Sequence, residues 1–370
     1  MKKPIKLLMG VPHPNTIGGP PTHLPFLVEY FRRRDDYEIE TFFIGSRANG
    51  TAKGERETIF LKVLATMRDV ILFTFKVLRR RPDIVHINSA FALFTVIRDT
   101  PYAYIAKVFG CKTFLKIHGS HEDFLFTESR FKRGLVRMLF KKIDRVGVLS
   151  TIERDQFAEK FGNTHKLVVC KNIVLKKRKD LPFSELKVEP GKIYGLFVSR
   201  IDHKKGLIDL INSVPLIIKE KPNFVLLIAG DGEALATCKN RVHELNVEQY
   251  VQWLGFVDSS QILDVYRQSD VFIFPTIYPE GMPMALIDAL RMGIPIVTTK
   301  VRFAKSYLEE GVNCLYSERN NSSDLSQKIL QLLEDEKMKL RMRNENPNLI
   351  RHFEPGVVGE EFHDFYTDSI

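Results

Sequence analysis

Short apolar runs alternate with longer segments of helical spacing along the first half of the chain. Runs rich in β-branched and aromatic residues predict six strands there, with helical stretches between most of them. These predicted strands are residues 5–11, 39–44, 84–87, 113–117, 146–149 and 167–169. Such alternation predicts βαβ units and a mostly parallel sheet covered by helices on both faces.

The pattern breaks between residues 174 and 191, where a charged stretch containing Pro and Gly is typical of a linker. It then resumes with six further predicted strands, and the chain after residue 322 is mostly helical. The second set of strands is 193–198, 224–229, 251–254, 271–274, 294–297 and 314–316. We therefore predict two Rossmann-like domains, with a final helical tail that returns to the first. The predicted bounds are 1–173 for the N-terminal domain, 174–191 for the linker, 192–350 for the C-terminal domain and 351–370 for the tail.

Length and composition support two domains with substantial cores, since 44% of the 370 residues are hydrophobic. The net charge of +10 is unevenly distributed: residues 1–172 contain 30 Lys and Arg against 17 Asp and Glu, whereas the remainder contains 25 against 28. A basic first half fits nucleic acid, an anionic membrane surface or a phosphorylated substrate.

Several classes of protein are disfavoured. The apolar stretch before Gly10 is too short for a signal peptide, and no later run reaches the roughly 18 apolar residues of a membrane span. The four cysteines stand far apart, as expected of reduced packing residues in the cytosol, so we expect a cytoplasmic protein without a metal site. The Gly-rich loop ending in Gly-Lys-Ser/Thr, the Gly-x-Ser-x-Gly elbow and Asp-x-Asp are absent.

The stretch 278–290 is the most informative part of the sequence. It follows an apolar strand and leads into a helix, with Pro283 suited to the first helical turn. The free N–H groups of Met284 and Ala285 should point towards an oxygen-rich, preferably anionic group. Glu280 stands beside that opening, and Asp288 lies one turn further along the helix. Two acidic acceptors at different depths suit a ligand rich in hydroxyls; the alternative is an ordinary helix start with a surface Glu and an exposed Asp.

Two turns of the first half carry candidate binding groups. Gly18 and Gly19 follow the first strand and precede a helix from about residue 21, so their N–H groups can approach a phosphate. His118 follows the fourth strand, and the Gly after it leaves its ring room to meet a ligand. A plain turn and a structural histidine are the competing interpretations.

Two turns of the second half add cations and a weak glycine signal. Arg200 lies at the end of a strand and Lys205 at the start of a helix, so together they can clamp a diphosphate without a metal. Two solvated cations are the alternative. Gly230 belongs to another strand-to-helix turn, which lacks the third glycine of a dinucleotide fingerprint.

In their order and spacing, these motifs resemble the retaining GT-B glycosyltransferases of the glycosyltransferase 4 family over nearly the whole chain. The resemblance implies two Rossmann-like domains facing each other across a cleft, and a nucleotide-sugar donor held mainly by the second. It implies that Arg200 and Lys205 hold the diphosphate, and that Gly18 and Gly19 approach it from the first domain. His118 would lie next to the sugar and Glu280 would bind its hydroxyls. The remaining donor contacts would come from Gly230, Gly281, Met282, Met284 and Asp288, and from Val257 in a stretch resembling the nucleobase wall.

Two departures from the family pattern are present. Asp288 stands where the family usually has Glu, one methylene longer, which can alter donor affinity or nucleotide choice. Asn172 is followed by Ile173 instead of the common Gly, which can alter the hinge. Neither change removes a residue from the diphosphate clamp.

The resemblance implies sugar transfer with retention of anomeric configuration, by front-face displacement and without a metal or other cofactor. UDP-sugars are the first expected donors and GDP-mannose the second. The basic first half suits a lipid-linked or cell-surface glycan acceptor, and we expect peripheral association with anionic membrane. The candidate surfaces are Lys76, Arg79, Arg80 and Arg81, and a helix near 128–143 whose expected apolar face is Phe131, Leu135, Met138 and Leu139.

Two other functions stay open. A GT-B enzyme of another reaction, such as a nucleotide-sugar epimerase or a phosphorylase, would carry similar motifs. A non-catalytic protein that binds nucleic acid or membrane would need only the basic patch. The intact set of Arg200, Lys205 and Glu280 favours the transferase, for which we expect no nucleic-acid partner.

Overall fold

The computed structural model describes residues 3–12, 19–44, 59–119, 125, 127–162, 164–174, 180–186 and 188–368. The chain divides into two compact units. The first unit contains residues 1–175 together with 353–370, and the second contains residues 176–352. The last helix of the chain therefore belongs to the first unit.

The first unit is built on a parallel sheet whose six described strands have the order β2-β1-β3-β4-β5-β6. These strands are β1 Ile5–Val11, β2 Tyr37–Phe43, β3 Ile84–Ser89, β4 Lys112–Ile117, β5 Arg145–Val148 and β6 Leu167–Val169. The helices described between them are α1 Gly19–Arg32, α2 Ile59–Arg80, α3 Leu93–Val108, α4 Arg130–Phe140 and α5 Thr151–Phe161. The strand order reverses between β1 and β3, which makes this the topological switch point of the sheet.

The second unit repeats this architecture with the strand order β12-β11-β10-β7-β8-β9. Its strands are β7 Ile193–Val198, β8 Phe224–Ala229, β9 Val251–Gly255, β10 Val271–Phe274, β11 Ile296–Thr299 and β12 Leu315–Ser317. Its helices are α6 Leu207–Glu220, α7 Leu235–Glu244, α8 Ile262–Arg267, α9 Met284–Met292, α10 Arg302–Tyr307, α11 Ser322–Glu334 and α12 Glu336–Ile350. Here the order reverses between β7 and β10, so ligands are expected beside the carboxyl ends of these two strands.

Alternating strand residues feed two separate cores of the first unit. Leu8 and Val85 pack against α2, α3 and α4, whereas Leu7 and Ile84 pack against the opposite layer. That opposite layer consists of α1 and of α13, Pro355–Thr367. The C-terminal helix thus completes one whole face of the first sheet.

The expected class of fold is confirmed, and every predicted strand is present with shifts of at most two residues. Five of the twelve strands have the predicted bounds. Helix α1, expected from about residue 21, begins two residues earlier at Gly19. Pro283 lies at the N-cap of α9 with extended backbone and not in the first turn.

The apolar face expected for α4 was wrong in part. Leu139 is buried and Leu135 packs against the core, but Phe131 is 67% exposed and Met138 is 38% exposed. The helix instead buries the neighbouring ridge, which includes Val136 and Phe140. Packing therefore uses a helix face rotated from the one that apolar spacing suggested. No helix in the described ranges is both long and apolar enough to cross a membrane.

Two glycines of α13 test how closely this helix packs. A Cβ added at Gly359 would lie 2.5–2.6 Å from the ring carbons of Tyr30, whereas a Cβ added at Gly356 meets nothing within 4 Å. The Tyr30 hydroxyl is bound to Glu360, which holds the ring in place. We expect Gly359→Ala to lower the free energy of unfolding by about 1–3 kcal/mol. Gly356→Ala should raise it by up to ~1 kcal/mol through helix propensity.

Urea unfolding of both variants checks this prediction. Equal effects of the two substitutions on the free energy of unfolding would contradict the close contact between α13 and α1.

Candidate active site

The turns after β7 and β10 are joined by backbone hydrogen bonds at the switch point of the second unit. The Lys204 carbonyl accepts from the N–H groups of Ile277, at 2.9 Å, and Tyr278, at 3.2 Å. Gly206 has φ +76°, and a Cβ there would lie 2.0 Å from the Pro275 carbonyl oxygen. A glycine is therefore required for this close approach. The two turns form one rigid frame for the side chains they carry.

This frame brings Lys205 and Glu280 together. The Lys205 ammonium donates to a Glu280 carboxylate oxygen, and each side chain is only 13% exposed. The ammonium also lies 5.0 Å from the centre of the Tyr278 ring. The alternative of a freely solvated cation was wrong for Lys205. A cation and an acid that are both largely removed from water balance each other's charge here.

Arg200 is an accessible cation of this cluster. Its side chain is 76% exposed and lies 3.0 Å from Asp202. The other carboxylate oxygen of Asp202 accepts from the Lys204 N–H at 2.9 Å. Asp202 therefore connects the guanidinium to the same turn that carries Lys205.

The N-terminus of α9 lies next to Glu280 in sequence. The first N–H groups of a helix lack intrahelical partners, so those of Met284 and Ala285 are available to an oxygen-rich group. Both residues are half-buried, as are Gly281 and Met282. The backbone of Glu280 is fixed because its carbonyl accepts from the Phe303 N–H at 2.9 Å.

Asp288 lies deeper in the second unit. Its side chain is 7% exposed and is 3.3 Å from the Arg291 guanidinium. The alternative of an exposed Asp at this position was therefore wrong. The carboxylate is held by a neighbouring cation one turn along α9.

The glycine turn after β8 has a steric role. A Cβ at Gly230 would lie 1.9 Å from the Ser199 carbonyl oxygen, and one at Gly232 would lie 2.2 Å from the Ile201 carbonyl oxygen. These glycines let the turn after β8 pack against the turn that carries Arg200. Val257 is half-buried and follows β9, whose Gly255 carbonyl accepts from the Gly230 N–H at 2.7 Å.

In the first unit, the half-buried His118 joins the buried His23, His86 and Asn88 in a polar network at the ends of β3 and β4. Its Nε2 lies 2.5 Å from Asn88 Oδ1, and its Nδ1 lies 3.1 Å from His23 Nε2. Asn88 Oδ1 is also 3.1 Å from His86 Nε2, and His86 Nδ1 is bonded to the Tyr366 hydroxyl. The network therefore runs from α1 through both strands to α13.

Asn88 determines the tautomers of two histidines. Its amide Nδ2 donates to the Gly10 carbonyl at 2.6 Å, which leaves Oδ1 as the acceptor facing His118 and His86. Both rings therefore carry their proton on Nε2, and Nδ1 of each accepts. His118 Nδ1 accepts from His23 Nε2 at 3.1 Å and lies 3.0 Å from Asn172 Oδ1. Since Nδ1 carries no proton in this tautomer, the Asn172 amide is turned over so that its NH2 group faces the ring.

Burial keeps these three rings neutral. It lowers the pKa of His86 to about 3, and it lowers the pKa values of His23 and His118 well below their usual range. Lys116, fully buried on β4, adds repulsion to each imidazolium form; burial also lowers its own pKa to about 8. The network is thus a set of neutral donors and acceptors with fixed directions.

The structure describes only part of the glycine turn that sequence analysis placed after β1. Gly19 opens α1, whereas Gly18 lies outside the described residues. Among the described residues there is no group of three or more His, Cys, Asp or Glu side chains placed to hold a metal ion.

Sequence reasoning missed the partners of the site residues more than the residues themselves. Tyr278 lay inside the motif without an assigned role, and the Lys204 carbonyl could not be identified by its side chain. In the first unit, His86 and Asn88 were overlooked. The available signal was polar residues at the end of an otherwise apolar strand.

The family model described as glycosyl transferases group 1 matches residues 178–349. The second unit belongs to the glycosyl transferases group 1 family. This match contains the turns that carry Arg200, Lys205 and Glu280, together with all of α9. The likeness to glycosyltransferases therefore lies in the unit that carries these turns.

Curated relatives are distant. An N,N'-diacetylbacillosaminyl-diphospho-undecaprenol alpha-1,3-N-acetylgalactosaminyltransferase of Campylobacter jejuni is 24% identical over 66% of this chain and 68% of its own. An uncharacterized glycosyltransferase of Methanocaldococcus jannaschii is 29% identical over 38% of this chain and 35% of its own. Matches to the first such relatives span from about a third to about two-thirds of their length.

Solved structures match over nearly the whole chain. Anabaena Alr3699/HepE in complex with UDP and glucose has a TM-score of 0.74 at 17% identity, covering 98% of this chain and 100% of that one. The lipopolysaccharide outer core galactosyltransferase WaaB has a TM-score of 0.71 at 18% identity, covering 99% of each chain. These likenesses support the GT-B fold.

The neutral histidines give a prediction for pH. The pKa of His86 is lower in the folded chain than in the unfolded chain, so the unfolded state binds the proton first as the pH falls below about 6.5. Folding stability must then decrease with acidification from that pH. Between pH 7 and pH 5, we expect His86→Gln to reduce this loss by about 2 kcal/mol.

Urea unfolding at several pH values measures the effect. The exposed His165, changed to Gln, is the matched control and should leave the loss unchanged. An identical pH dependence in wild type and His86→Gln would show that His86 does not stay neutral in the fold.

Proposed function

We propose that this chain transfers a sugar from a nucleotide-sugar, with a UDP-sugar as the first choice, to a lipid-linked or cell-surface glycan acceptor. The proposed transfer retains the anomeric configuration and uses no metal. The observation that carries the proposal is the Lys205–Glu280 pair, held between two turns at the switch point of the second unit and adjoined by the exposed Arg200.

The pair provides both kinds of group that a nucleotide-sugar needs. A diphosphate is a stronger anionic partner than one carboxylate, so its arrival draws the Lys205 ammonium away from Glu280. The released carboxylate is then an acceptor for sugar hydroxyls. Arg200 adds a planar donor for a second phosphate oxygen. Donor binding therefore exchanges one ion pair for several new contacts.

Other groups of the second unit would complete the donor site. The free N–H groups at the start of α9 suit oxygen atoms of the sugar or phosphate. Asp288 would accept from a ribose hydroxyl, with its carboxylate already oriented by Arg291. The stretch that ends at Val257 would meet the nucleobase. Gly230 would contribute by letting the adjoining turns approach.

The proposed chemistry is a front-face displacement. The acceptor oxygen bonds to the anomeric carbon as the bond from that carbon to the phosphate oxygen breaks. The acceptor proton passes to the departing phosphate oxygen, so atoms and charge balance. Lys205 and Arg200 stabilise the negative charge that grows on the leaving diphosphate. The side chains thus position and neutralise without forming a covalent bond.

The first unit would supply the acceptor side. Gly18, Gly19 and His118 keep their predicted roles beside the diphosphate and sugar. Both ring nitrogens of His118 have partners within the unit, so a sugar hydroxyl would compete with His23 or Asn172 for Nδ1. The fixed Nε2 proton makes Nδ1 the end that accepts.

The relatives support the choice of substrates. The Anabaena neighbour is named with UDP, and the Campylobacter relative is named for an undecaprenol-diphosphate-linked acceptor. We propose that this chain uses a substrate pair of the same chemical kind. A basic first half suits a diphosphate-linked lipid, and with it a peripheral position on an anionic membrane.

Thermal shift with UDP-, GDP-, ADP- and dTDP-sugars, without metal, tests the donor site. We expect one nucleotide class to stabilise the chain. Arg200→Ala and Lys205→Ala should each weaken binding about 10- to 100-fold, because each removes a charged partner of the diphosphate. Arg341→Ala, which removes an exposed cation from α12, is the matched control. No stabilisation by any class, or an equal loss in the control, would contradict the proposal.

Glu280→Gln distinguishes the contact of Lys205 with the diphosphate from the contact of Glu280 with the sugar. It removes the acid that competes for Lys205, so UDP alone should bind at least as tightly as to wild type. Sugar release from the donor should become slower, because the carboxylate contact to the sugar is lost. Titration of UDP and a nucleotide-release assay measure these quantities. Weaker UDP binding together with an unchanged rate would exclude the assigned role.

A further inference from the structure

We infer that the outward face of α2 is a lipid-docking surface that lies flat on an anionic bilayer. Seven apolar side chains of this helix are between 47% and 66% exposed. We call them the α2 stripe: Val63, Leu64, Met67, Ile71, Leu72, Phe75 and Leu78. This inference rests on the proposed function, because the proposed lipid-linked acceptor would be located in the membrane that this surface binds.

The stripe is continuous along the helix. At 100° per residue, its seven side chains fall within about half of the helix circumference, and they extend over roughly 22 Å. Phe73 and Val77 on the opposite side pack into the core of the first unit. The helix therefore packs against the core through its inner side, while its outer side carries seven exposed apolar side chains.

Most of the charges beside the stripe are positive, although Glu40 of β2 lies there too and is 2.7 Å from Arg80. At 100° per residue, the exposed Arg68 and Arg79 fall within the same half of the helix, near Leu72, and Arg80 and Arg81 are exposed where the helix ends. The acid of this helix, Asp69, is buried. An apolar face bordered by Arg and Lys is typical of helices that lie in the interface of anionic membranes.

The far end of the stripe continues into a concavity with the same character. Leu78 lines it together with Val108 and Phe109 of the α3 end. The charged residues of the same lining are Lys3, Arg81 and Lys112, with Asp83 as an acid among them. Val108 is 78% exposed. Apolar side chains bordered by cations thus extend past α2 itself.

Two other occupants fit this surface less well. Residues 45–58, which precede α2 in sequence, contain no apolar side chain larger than alanine, so they offer little to cover the stripe. A second copy docked through the same face would oppose like charges from both cationic borders. Anionic lipid complements both the apolar stripe and its border.

The direction of α2 relates this surface to the site. A helix that connects parallel strands runs antiparallel to them, so α2 begins at the carboxyl edge of the sheet. Asn88 and His118 lie at that same edge. A membrane along the stripe would therefore reach the end of the unit where the acceptor is proposed to bind.

Vesicle flotation of the full chain tests the inference. We expect binding at low salt to phosphatidylcholine vesicles containing about 30% anionic phospholipid, and little binding to pure phosphatidylcholine. The double variant Met67→Glu/Phe75→Glu should lower the bound fraction about tenfold or more, because two inserted side chains become charged. Leu340→Glu/Val357→Glu makes the same change at exposed apolar residues elsewhere and should bind as wild type does.

Fluorescence measures insertion directly. Trp253 is the single Trp of the chain, so a Trp253→Phe/Phe75→Trp variant carries a reporter on the stripe. Its emission should shift to the blue and be quenched by lipids with brominated acyl chains. The control Trp253→Phe/Leu340→Trp should show neither change.

Three outcomes would overturn the inference. The first is no flotation of wild type with anionic vesicles, and the second is equal flotation of the stripe variant. The third is a change of oligomeric state in the stripe variant without vesicle binding by wild type, which would make the stripe an interface between copies. Nucleotide-sugar stabilisation of the two Glu double variants used for flotation is measured in parallel. If it persists while flotation fails, the proposed transfer reaction stands and only the docking surface is rejected.

Discussion

The carbonyl group of Lys204 is the fixed point of the second unit's site. It accepts two backbone N–H groups from the turn after β10, and Gly206 allows the contact with Pro275 that keeps the turns together. Lys205 and Glu280 lie 75 residues apart in sequence but are paired because this frame holds their backbones. Without these backbone hydrogen bonds, the two turns would be free to separate. The Lys205–Glu280 ion pair therefore depends on the backbone contacts between the turns, and the ion pair does not create those contacts.

The fold could be read from the sequence to a large extent. Buried parallel strands are continuous apolar runs, so Ile193–Val198 and Phe224–Ala229 can be predicted from their local sequence alone. Helix faces are harder, as α4 shows. Several faces of α4 are apolar enough to pack against a core. Contacts with α3 and the sheet determine which face is buried, and these contacts cannot be predicted from local spacing.

The site could be read only in part. Charged residues beside glycines, such as Arg200 and Lys205, can be recognised because their chemistry is unusual at strand ends. The direction in which each group points could not be foreseen. The proton positions of His118 and His86 follow from one amide, Asn88, whose own orientation is set by the Gly10 carbonyl. Such a chain of dependencies joins residues that are distant in sequence, and it is decided by tertiary contacts alone.

The return of α13 to the first unit has a consequence for the order of folding during synthesis. Residue 366 supplies the hydroxyl that binds His86, and its helix covers one face of the first sheet. When residues 1–175 have left the ribosome, helix α13 has therefore not yet been synthesised. The second unit, which is continuous in sequence, can close while the first still exposes apolar strand residues to the cell. The unit made first is thus finished last, and the intervening time is when this chain depends most on chaperones.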